Sequence, residues 1–316
     1  MNYQSLLKTT TVLALIILFA AISVPAITIR SDILQVPFKL ERNRVIIPTS
    51  VNGSPAYDLI LDTGTGFDGV YLFHKEYADE IDTTGSIEVH VPGAGSGEAS
   101  TAIMIESGSL EFGEVSVDSQ RVIISKSLHT QGFPTDGVIG WNLFGHYTVE
   151  INYDTESIKL HDMTDFKADS TWVSIPITLK NGLPFLKGKV EVVDGETVSM
   201  TMYIDLASGD ALELLTGANQ KYTLPENLDS GYLATGLSGD IHGYRGWSRH
   251  LWLGEFMLSD IATVFAPEKV RSKQEGADGI LGNDCIRRFN VVFDYTNRKL
   301  HLKPSKYFRT AFEQNN

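Results

Sequence analysis

The stretch Y-D-L-I-L-D-T-G-T at residues 57–65 decides the fold, because a second stretch of the same kind follows it. The second reads M-T-M-Y-I-D-L-A-S and occupies residues 200–208, which is 143 residues further along the chain. In both stretches a mainly apolar run ends in an aspartate that small or hydroxyl-bearing residues follow. Such a run is typical of a buried strand that ends in a tight turn. The sequence therefore predicts two equivalent strand-turn units, centred on Asp62 and Asp205.

Further blocks flank the two turns in the same order and indicate a duplicated domain. The N-G and D-G pairs within them predict hairpin turns, because these residues accept the positive φ that a type I′ turn requires. The order and spacing of the blocks favour an internal repeat whose unit is one whole lobe. The matched pairs are 36–40 with 175–179, 51–53 with 193–195, 136–140 with 278–282, and 147–153 with 289–295.

Short β-branched and aromatic runs fill the space between the blocks, and Gly, Asn, Asp and Ser separate them. Only short helices are predicted, at 73–81 and near 212–220. We therefore predict an all-β chain of two homologous, β-barrel-like lobes around a cleft, at residues 33–165 and 166–308. Because no Pro- or Ser-rich linker separates the lobes, we expect them to share one extended sheet or interface.

Composition and charge exclude several classes of function. The chain has 316 residues, a formal charge of -13 and a pI near 5.0. A nucleic-acid partner is not expected, because a phosphate-binding face needs clustered Lys and Arg. Cys285 is the single cysteine, so no intramolecular disulfide can form, and we predict a buried structural thiol.

The motifs of other enzyme classes are absent or incomplete in this sequence. The eight histidines show no metal-ligand spacing, no G-x-S-x-G element occurs, and neither a metal nor a cofactor is expected. Residues 64–69 match the dinucleotide fingerprint G-x-G-x-x-G. No long amphipathic helix follows that match, and the second copy of the repeat lacks the glycines, so we reject a nucleotide site.

The N-terminus predicts export. Residues 11–28 are almost entirely apolar and follow Lys8, and Val24-Pro25-Ala26 offers a cleavage site. We favour a cleaved signal peptide over residues 1–26, because the apolar run is short and Pro25 breaks it. The mature protein would then be periplasmic or secreted. If the segment is not cleaved, residues 11–28 would tether the protein to a membrane.

The paired aspartates predict acid-base chemistry. Two carboxyl groups brought together across a pseudo-twofold axis cannot both ionise cheaply, so they share a proton. The ionised group can take a proton from a water held between them, while the protonated group hydrogen-bonds a substrate carbonyl. This chemistry yields a neutral, non-covalent tetrahedral intermediate and needs no metal, serine or thiol.

The chain resembles the pepsin-like and retropepsin-like aspartic proteases, and is similar to their short bacterial and organelle members. The resemblance rests on D-T-G-T at 62–65 and on the apolar-apolar-Gly elements at 138–140 and 280–282, and it covers nearly all of residues 33–308. It implies a pepsin-like acid protease fold and an aspartic endopeptidase that binds a peptide or protein substrate as an extended strand. The implied catalytic pair is Asp62 and Asp205, with Thr63, Gly64, Thr65 and Ser208 as orienting residues.

The second turn departs from the family pattern. Leu206 and Ala207 stand where the family has Thr and Gly, which leaves Thr63 to brace the two lobes from one side only. Ala207 fits only if its φ is negative. We expect the hydroxyls of Thr65 and Ser208 to hydrogen-bond the carboxylates. These departures keep an alternative open, a catalytically inactive pepsin-fold module that binds peptides or proteins.

The substrate flap also departs from the family pattern. Family members often carry a tyrosine on a hairpin of the first lobe, whereas residues 92–98 here are glycine-rich and hold no aromatic residue. The counterpart in the second lobe, residues 243–247, contains two aromatic residues. We predict that Gly95, Tyr244 and Trp247 contact substrate, with surface packing as the alternative for the two aromatic residues.

Overall fold

The computed structural model describes residues 34–66, 68–95, 97–271 and 276–314. The predicted signal peptide or anchor lies outside these residues. Within the described ranges, no helix is long and apolar enough to cross a membrane.

The described residues form an all-β protein of 21 strands in two sheets. The strands of the first half are β1 Leu34–Pro37, β2 Lys39–Glu41, β3 Arg44–Val51, β4 Tyr57–Leu61, β5 Gly69–Leu72, β6 Ile87–Val91, β7 Ser100–Phe112, β8 Val115–Ser125, β9 Gly137–Ile139, β10 Thr148–Asn152 and β11 Ser157–His161. Those of the second half are β12 Val173–Lys180, β13 Leu183–Glu191, β14 Thr197–Asp205, β15 Leu212–Thr216, β16 Asp229–Gly236, β17 Gly239–Leu253, β18 Phe256–Pro267, β19 Gly279–Gly282, β20 Phe289–Asp294 and β21 Lys299–Pro304.

The predicted repeat is visible in the strand pairing. Strands β2–β9 form an eight-stranded sheet in which β4 runs parallel to β9. Strands β13–β19 form one end of a 13-stranded sheet in which β14 runs parallel to β19. We call the parts built on β2–β9 and β13–β19 the first lobe and the second lobe. In each lobe the strand that leads into the aspartate lies beside the apolar-apolar-Gly element, so the two motifs of each repeat are neighbours.

A shared sheet joins the lobes, as the sequence predicts. Its strand order is β1-β11-β10-β20-β21-β12, and it continues through β13 into the second lobe. The central pair is β10 with β20, where Val149 faces Phe293 and Ile151 faces Val291. All four of these side chains are fully buried. Corresponding strands from the two repeats thus pair with each other and bury one apolar layer between the lobes.

The two predicted hairpin turns differ in detail. Asn52 and Gly53 both have positive φ, at 51° and 76°, and Ser54 N–H donates to the carbonyl of Val51 at 3.0 Å. This is the predicted type I′ geometry. At the second turn only Gly195 has a positive φ, at 78°. The aspartate before it, residue 194, stays in the ordinary region, so the two turns are not the same type.

One of the two predicted helices is wrong. Helix α1, Tyr77–Glu80, lies within the predicted range 73–81, but residues 212–216 form strand β15 between β18 and β19. Four successive side chains of β15 are buried. A strand covered on both faces is buried along its length, and a short, mainly apolar run such as L-E-L-L does not distinguish it from a buried helix. The other short helices are α2 Trp141–Phe144 and α3 Asn283–Ile286, with 3₁₀ turns at Thr130–Gly132 and Glu268–Arg271.

Cys285 lies in α3 and is fully buried with a free thiol. Burial raises the pKa of its thiol to about 12. A thiol is nucleophilic only as a thiolate, so Cys285 is a packing residue, as predicted.

Candidate active site

Each candidate aspartate lies at the end of a strand, and a second aspartate accepts a hydrogen bond from the backbone of that strand. In the first lobe, the N–H of Asp58 donates to Asp136 Oδ2 at 2.6 Å. In the second, the N–H of Thr201 donates to Asp278 Oδ2 at 2.8 Å. Both bonds lie four residues before the candidate aspartate. The aspartates at 136 and 278 open the repeated D-G-x-x-G blocks, which explains why those blocks recur beside the turns.

Thr63 braces the two turns across the lobe boundary. Its side chain is almost fully buried, and its hydroxyl donates to the carbonyl of Ile204 at 2.7 Å. The same hydroxyl oxygen accepts the N–H of Leu206 at 3.2 Å. Leu206 occupies the equivalent place in the second turn and packs into the core. The brace is therefore one-sided, as the sequence predicts.

Backbone N–H groups orient both carboxyl groups in the same way. Gly64 N–H donates to Asp62 Oδ1 at 2.5 Å, and Ala207 N–H donates to Asp205 Oδ1 at 3.0 Å. Asp205 Oδ1 accepts a further bond from Ser208 N–H at 3.1 Å. Ala207 is not among the residues with positive φ, so it meets the condition that the sequence sets for it.

Gly64 brings the two carboxyl groups together. A Cβ placed on Gly64 would lie 2.9 Å from Asp62 Oδ1 and 3.3 Å from Asp205 Oδ1. Because both oxygens lie that close to one point, the carboxyl groups from the two lobes are neighbours. Only a residue without a side chain leaves this space open.

Comparison with known proteins gives the fold but no sequence relative. No family model matches the chain, and no curated protein matches it. Among solved structures, the chain is similar to the aspartic proteinase from Irpex lacteus, with a TM-score of 0.56 and 14% sequence identity. The similarity covers 89% of this chain and 100% of that one. The fold is pepsin-like. At this level of identity the comparison shows the two-lobed fold alone.

Within the pepsin-like fold, Thr65 and Ser208 each contact the aspartate of their own turn. The hydroxyl of Thr65 donates to the backbone carbonyl of Asp62 at 3.4 Å. Ser208 contacts the Asp205 carboxylate through its N–H.

A hairpin from each lobe packs against the aspartate turn of the other. Between β2 and β3, Arg42 and Asn43 both have positive φ, and Asn43 Nδ2 donates to the carbonyl of Gly209 at 3.1 Å. Between β12 and β13, Asn181 and the glycine after it also have positive φ. A Cβ on Gly66 would overlap the carbonyl oxygen of Asn181. The pepsin-like fold thus holds each turn from the opposite lobe.

Arg44 is a residue of the site that sequence reasoning missed. Its Nε donates to the carbonyl of Ala207 at 2.7 Å, across the lobe boundary. Burial lowers the pKa of its guanidinium, while the nearby charges of Asp210 and Asp205 oppose that shift. The two candidate aspartates therefore have different surroundings. Asp62 has a tyrosine, Tyr295, in its surroundings. Burial raises the pKa of Tyr295 well above its ordinary value, and the charge of Asp62 adds to the shift.

The glycine-rich stretch of the first lobe lies between β6 and β7 and contacts the β16–β17 turn of the second. Gly97 N–H donates to the carbonyl of Ser238 at 2.6 Å, and Ser238 N–H donates to the carbonyl of Ala94 at 2.8 Å. Leu237 packs against the apolar cluster of the first lobe, and Ala94 packs against a cluster of the second. We call these two turns, the first described by residues 92–95 and 97–99 and the second by residues 236–239, the bridging turns.

The three predicted substrate contacts do not come together at one surface. The backbone of Gly95 lies against the bridging turn of the second lobe, where a Cβ would be 2.5 Å from Gly239 O. Tyr244 and Trp247 lie on β17 and are 43% and 47% exposed. Three residues apart on a regular strand, they face opposite sides. Trp247 lies on the same side of β17 as Arg245, and Arg245 pairs with Asp210 at 3.8 Å. Of the two aromatic residues, Trp247 is therefore the better placed to contact a substrate beside the second aspartate turn.

No group of three or more His, Cys, Asp or Glu side chains that could hold a metal occurs in the described ranges.

Proposed function

We propose that this protein is an aspartic endopeptidase whose catalytic pair is Asp62 and Asp205. The observation that carries the proposal is the meeting of the two carboxyl groups at Gly64, each oriented by a backbone N–H from its own turn. Thr63 supports it further, because its hydroxyl fixes the two turns relative to each other.

The mechanism follows from the shared proton. One carboxyl group is ionised and takes a proton from a water placed between the pair, and the water oxygen attacks the peptide carbonyl carbon. The other carboxyl group is protonated and hydrogen-bonds the carbonyl oxygen as negative charge develops there. Collapse of the tetrahedral intermediate breaks the C–N bond, and the leaving nitrogen takes the proton that the first carboxyl group had taken from the water. The pair ends the cycle with one proton, as it began.

The substrate we propose is a peptide or protein segment bound in the extended conformation between the lobes. We further propose that the protein acts outside the cytoplasm, in the periplasm or as a secreted enzyme, as the apolar N-terminal segment indicates. A second candidate function is an inactive pepsin-like module that binds peptides. The replacement of the family's Thr and Gly by Leu206 and Ala207 favours that candidate.

Peptide-library cleavage tests the proposal. The wild-type protein is expected to cleave a subset of peptides, and a statine-type inhibitor is expected to block that cleavage. Asp62→Asn and Asp205→Asn should each abolish it, because either change removes the shared proton arrangement. Asp194→Asn makes the same change at an exposed turn of the second lobe and should leave cleavage intact. Cleavage that survives in both active-site variants would exclude the proposed pair. Peptide binding without cleavage by the wild type would favour the inactive module.

A further inference from the structure

The two aspartate turns receive unequal support from the opposite lobe. The first turn keeps the intact D-T-G-T pattern, and the residue that follows the hairpin turn packed against it is Leu183. The second turn has Leu206 where the first has Thr63, and the residue at the corresponding place in the other hairpin is Arg44. Arg44 therefore lies in the hairpin that packs against the second turn, which is the turn that has no threonine hydroxyl.

Arg44 makes a bond that joins the same two parts that a threonine at 206 would join. A hydroxyl there would donate from the second turn to the first lobe. Instead, Arg44 Nε donates from the first lobe to the carbonyl of Ala207 at 2.7 Å. The donor here belongs to the first lobe and not to the second turn, but the bond still connects the second turn to the first lobe. A bond from a charged donor is stronger than one from a neutral hydroxyl.

Neighbouring contacts hold the guanidinium in place. A Cβ on Gly209 would lie 3.4 Å from Arg44 Cζ, so the guanidinium packs on that glycine. Asn43 Nδ2 binds the carbonyl of the same glycine, and Asn283 Nδ2 donates to the carbonyl of Asn43 at 2.8 Å. Tyr153 in turn donates its hydroxyl hydrogen to Asn283 Oδ1 at 2.5 Å. The hairpin is thus fixed to the turn through side chains from both halves of the chain.

Arg44 reaches the candidate catalytic group through a single residue. Ala207 accepts the bond from Arg44 at its carbonyl and donates its own N–H to Asp205 Oδ1. A shift of Ala207 therefore moves the donor that orients the carboxylate. We propose that Arg44 is a positioning residue that replaces the bracing lost at Leu206 and holds Asp205 in place through Ala207. This inference rests on the proposed function of the aspartate pair.

A double-mutant cycle with Leu206→Thr tests this replacement. Arg44→Met removes the guanidinium and keeps an apolar stem, and we expect it to lower kcat about tenfold with little change in KM. Leu206→Thr restores a hydroxyl to the second turn. In that background the loss caused by Arg44→Met should fall to less than about threefold, because the two groups perform one role. Arg121→Met, the same change at an exposed residue of β8 in the first lobe, is the matched control and should have little effect.

Hydrogen exchange separates this inference from the proposed function, because it needs no activity. Arg44→Met should speed the exchange of the Ala207 and Ser208 amides, and Leu206→Thr should restore their protection. If the protein cleaves nothing but this exchange pattern holds, the endopeptidase proposal fails and the bracing role stands. Equal losses in both backgrounds, or an equal loss in Arg121→Met, would overturn the bracing role. If Arg44→Met does not fold, Arg44→Lys, which keeps the charge but not the planar donor, carries the same comparison.

Discussion

At the scale of single residues, Gly64 sets the spacing of the two carboxyl groups. A methyl group there would lie within 3.3 Å of oxygens from both aspartates. We expect Gly64→Ala to push the carboxyl groups apart and to lower kcat more than about 100-fold, since small displacements of reacting groups have effects of that size. Steady-state kinetics together with circular dichroism measure the effect.

Gly132→Ala is the control for this substitution, because a Cβ at Gly132 meets nothing within 4 Å. Near-normal kinetics of Gly64→Ala would mean that the two carboxyl groups do not act from the arrangement seen in the structure.

Sequence reasoning finds some residues of the site and misses others for a physical reason. The register of the repeat predicts Asp205, and the intact D-T-G-T motif predicts Thr63. The contact of Arg44 with Ala207 joins residues 163 positions apart, and no local pattern indicates it. The one available signal is the pair of hairpins before β3 and β13, which both carry turn residues. The bonds expected from the hydroxyls of Thr65 and Ser208 to the carboxylates stay predictions.

At the scale of elements, the bridging turns are the contact between lobes that the sequence does not predict. Gly95 has a φ of 130° and lies against Gly239, so a side chain there is strained and meets backbone atoms. We expect Gly95→Ala to separate the two turns. Hydrogen exchange of the backbone amides in both turns should then be faster than in the wild type, and the KM for peptides should change.

Gly231→Ala is the matched control in the adjoining strand β16, since no atom lies near a Cβ at that position. Unchanged exchange in Gly95→Ala would show that the hydrogen bonds between the bridging turns do not limit their opening.

Strand β15 shows where sequence patterns stop being informative about elements. Its residues L-E-L-L-T fit a short helix as well as a strand, and only its position between β18 and β19 determines the outcome. By contrast, the strands that enter the two aspartate turns are identified by the turn residues after them.

At the scale of the whole molecule, His301 makes stability depend on pH. It lies in β21 of the shared sheet, is almost fully buried, and bonds Ser174 Oγ through Nδ1 at 2.8 Å. Burial lowers the pKa of His301, while Asp294, whose carboxylate is 3.7 Å away, opposes the shift. The folded protein therefore holds this ring neutral at a pH where the unfolded chain protonates it. Stability rises with pH through this range and is lost as pH falls below about 6.5, the ordinary histidine value.

Urea unfolding measures this dependence directly. The free energy of unfolding should fall between about pH 7.5 and about pH 5.5, and His301→Gln should flatten that slope whatever its effect on stability at neutral pH. Lys180→Gln, at an exposed residue of β12 in the same sheet, should leave the slope as it is. An unchanged slope in His301→Gln would mean that other groups cause the pH dependence.

The duplication explains how much of the molecule could be predicted. Because each block recurs once, the sequence predicts two lobes, and the absence of a linker predicts their shared sheet. The pairing of β10 with β20 confirms that sheet. Arg44 and the bridging turns also join the lobes. They lie in parts of the two repeats whose sequences differ, so comparison of the repeats does not predict these contacts.

The kinetics of Asp62→Asn, Asp205→Asn and the double variant test the central claim most directly, that the two aspartates act as one pair. If they share one proton and one water, each single substitution removes nearly all activity, and the double variant is no worse than either single variant. Losses that multiply in the double variant, or substantial activity in either single variant, would contradict the account.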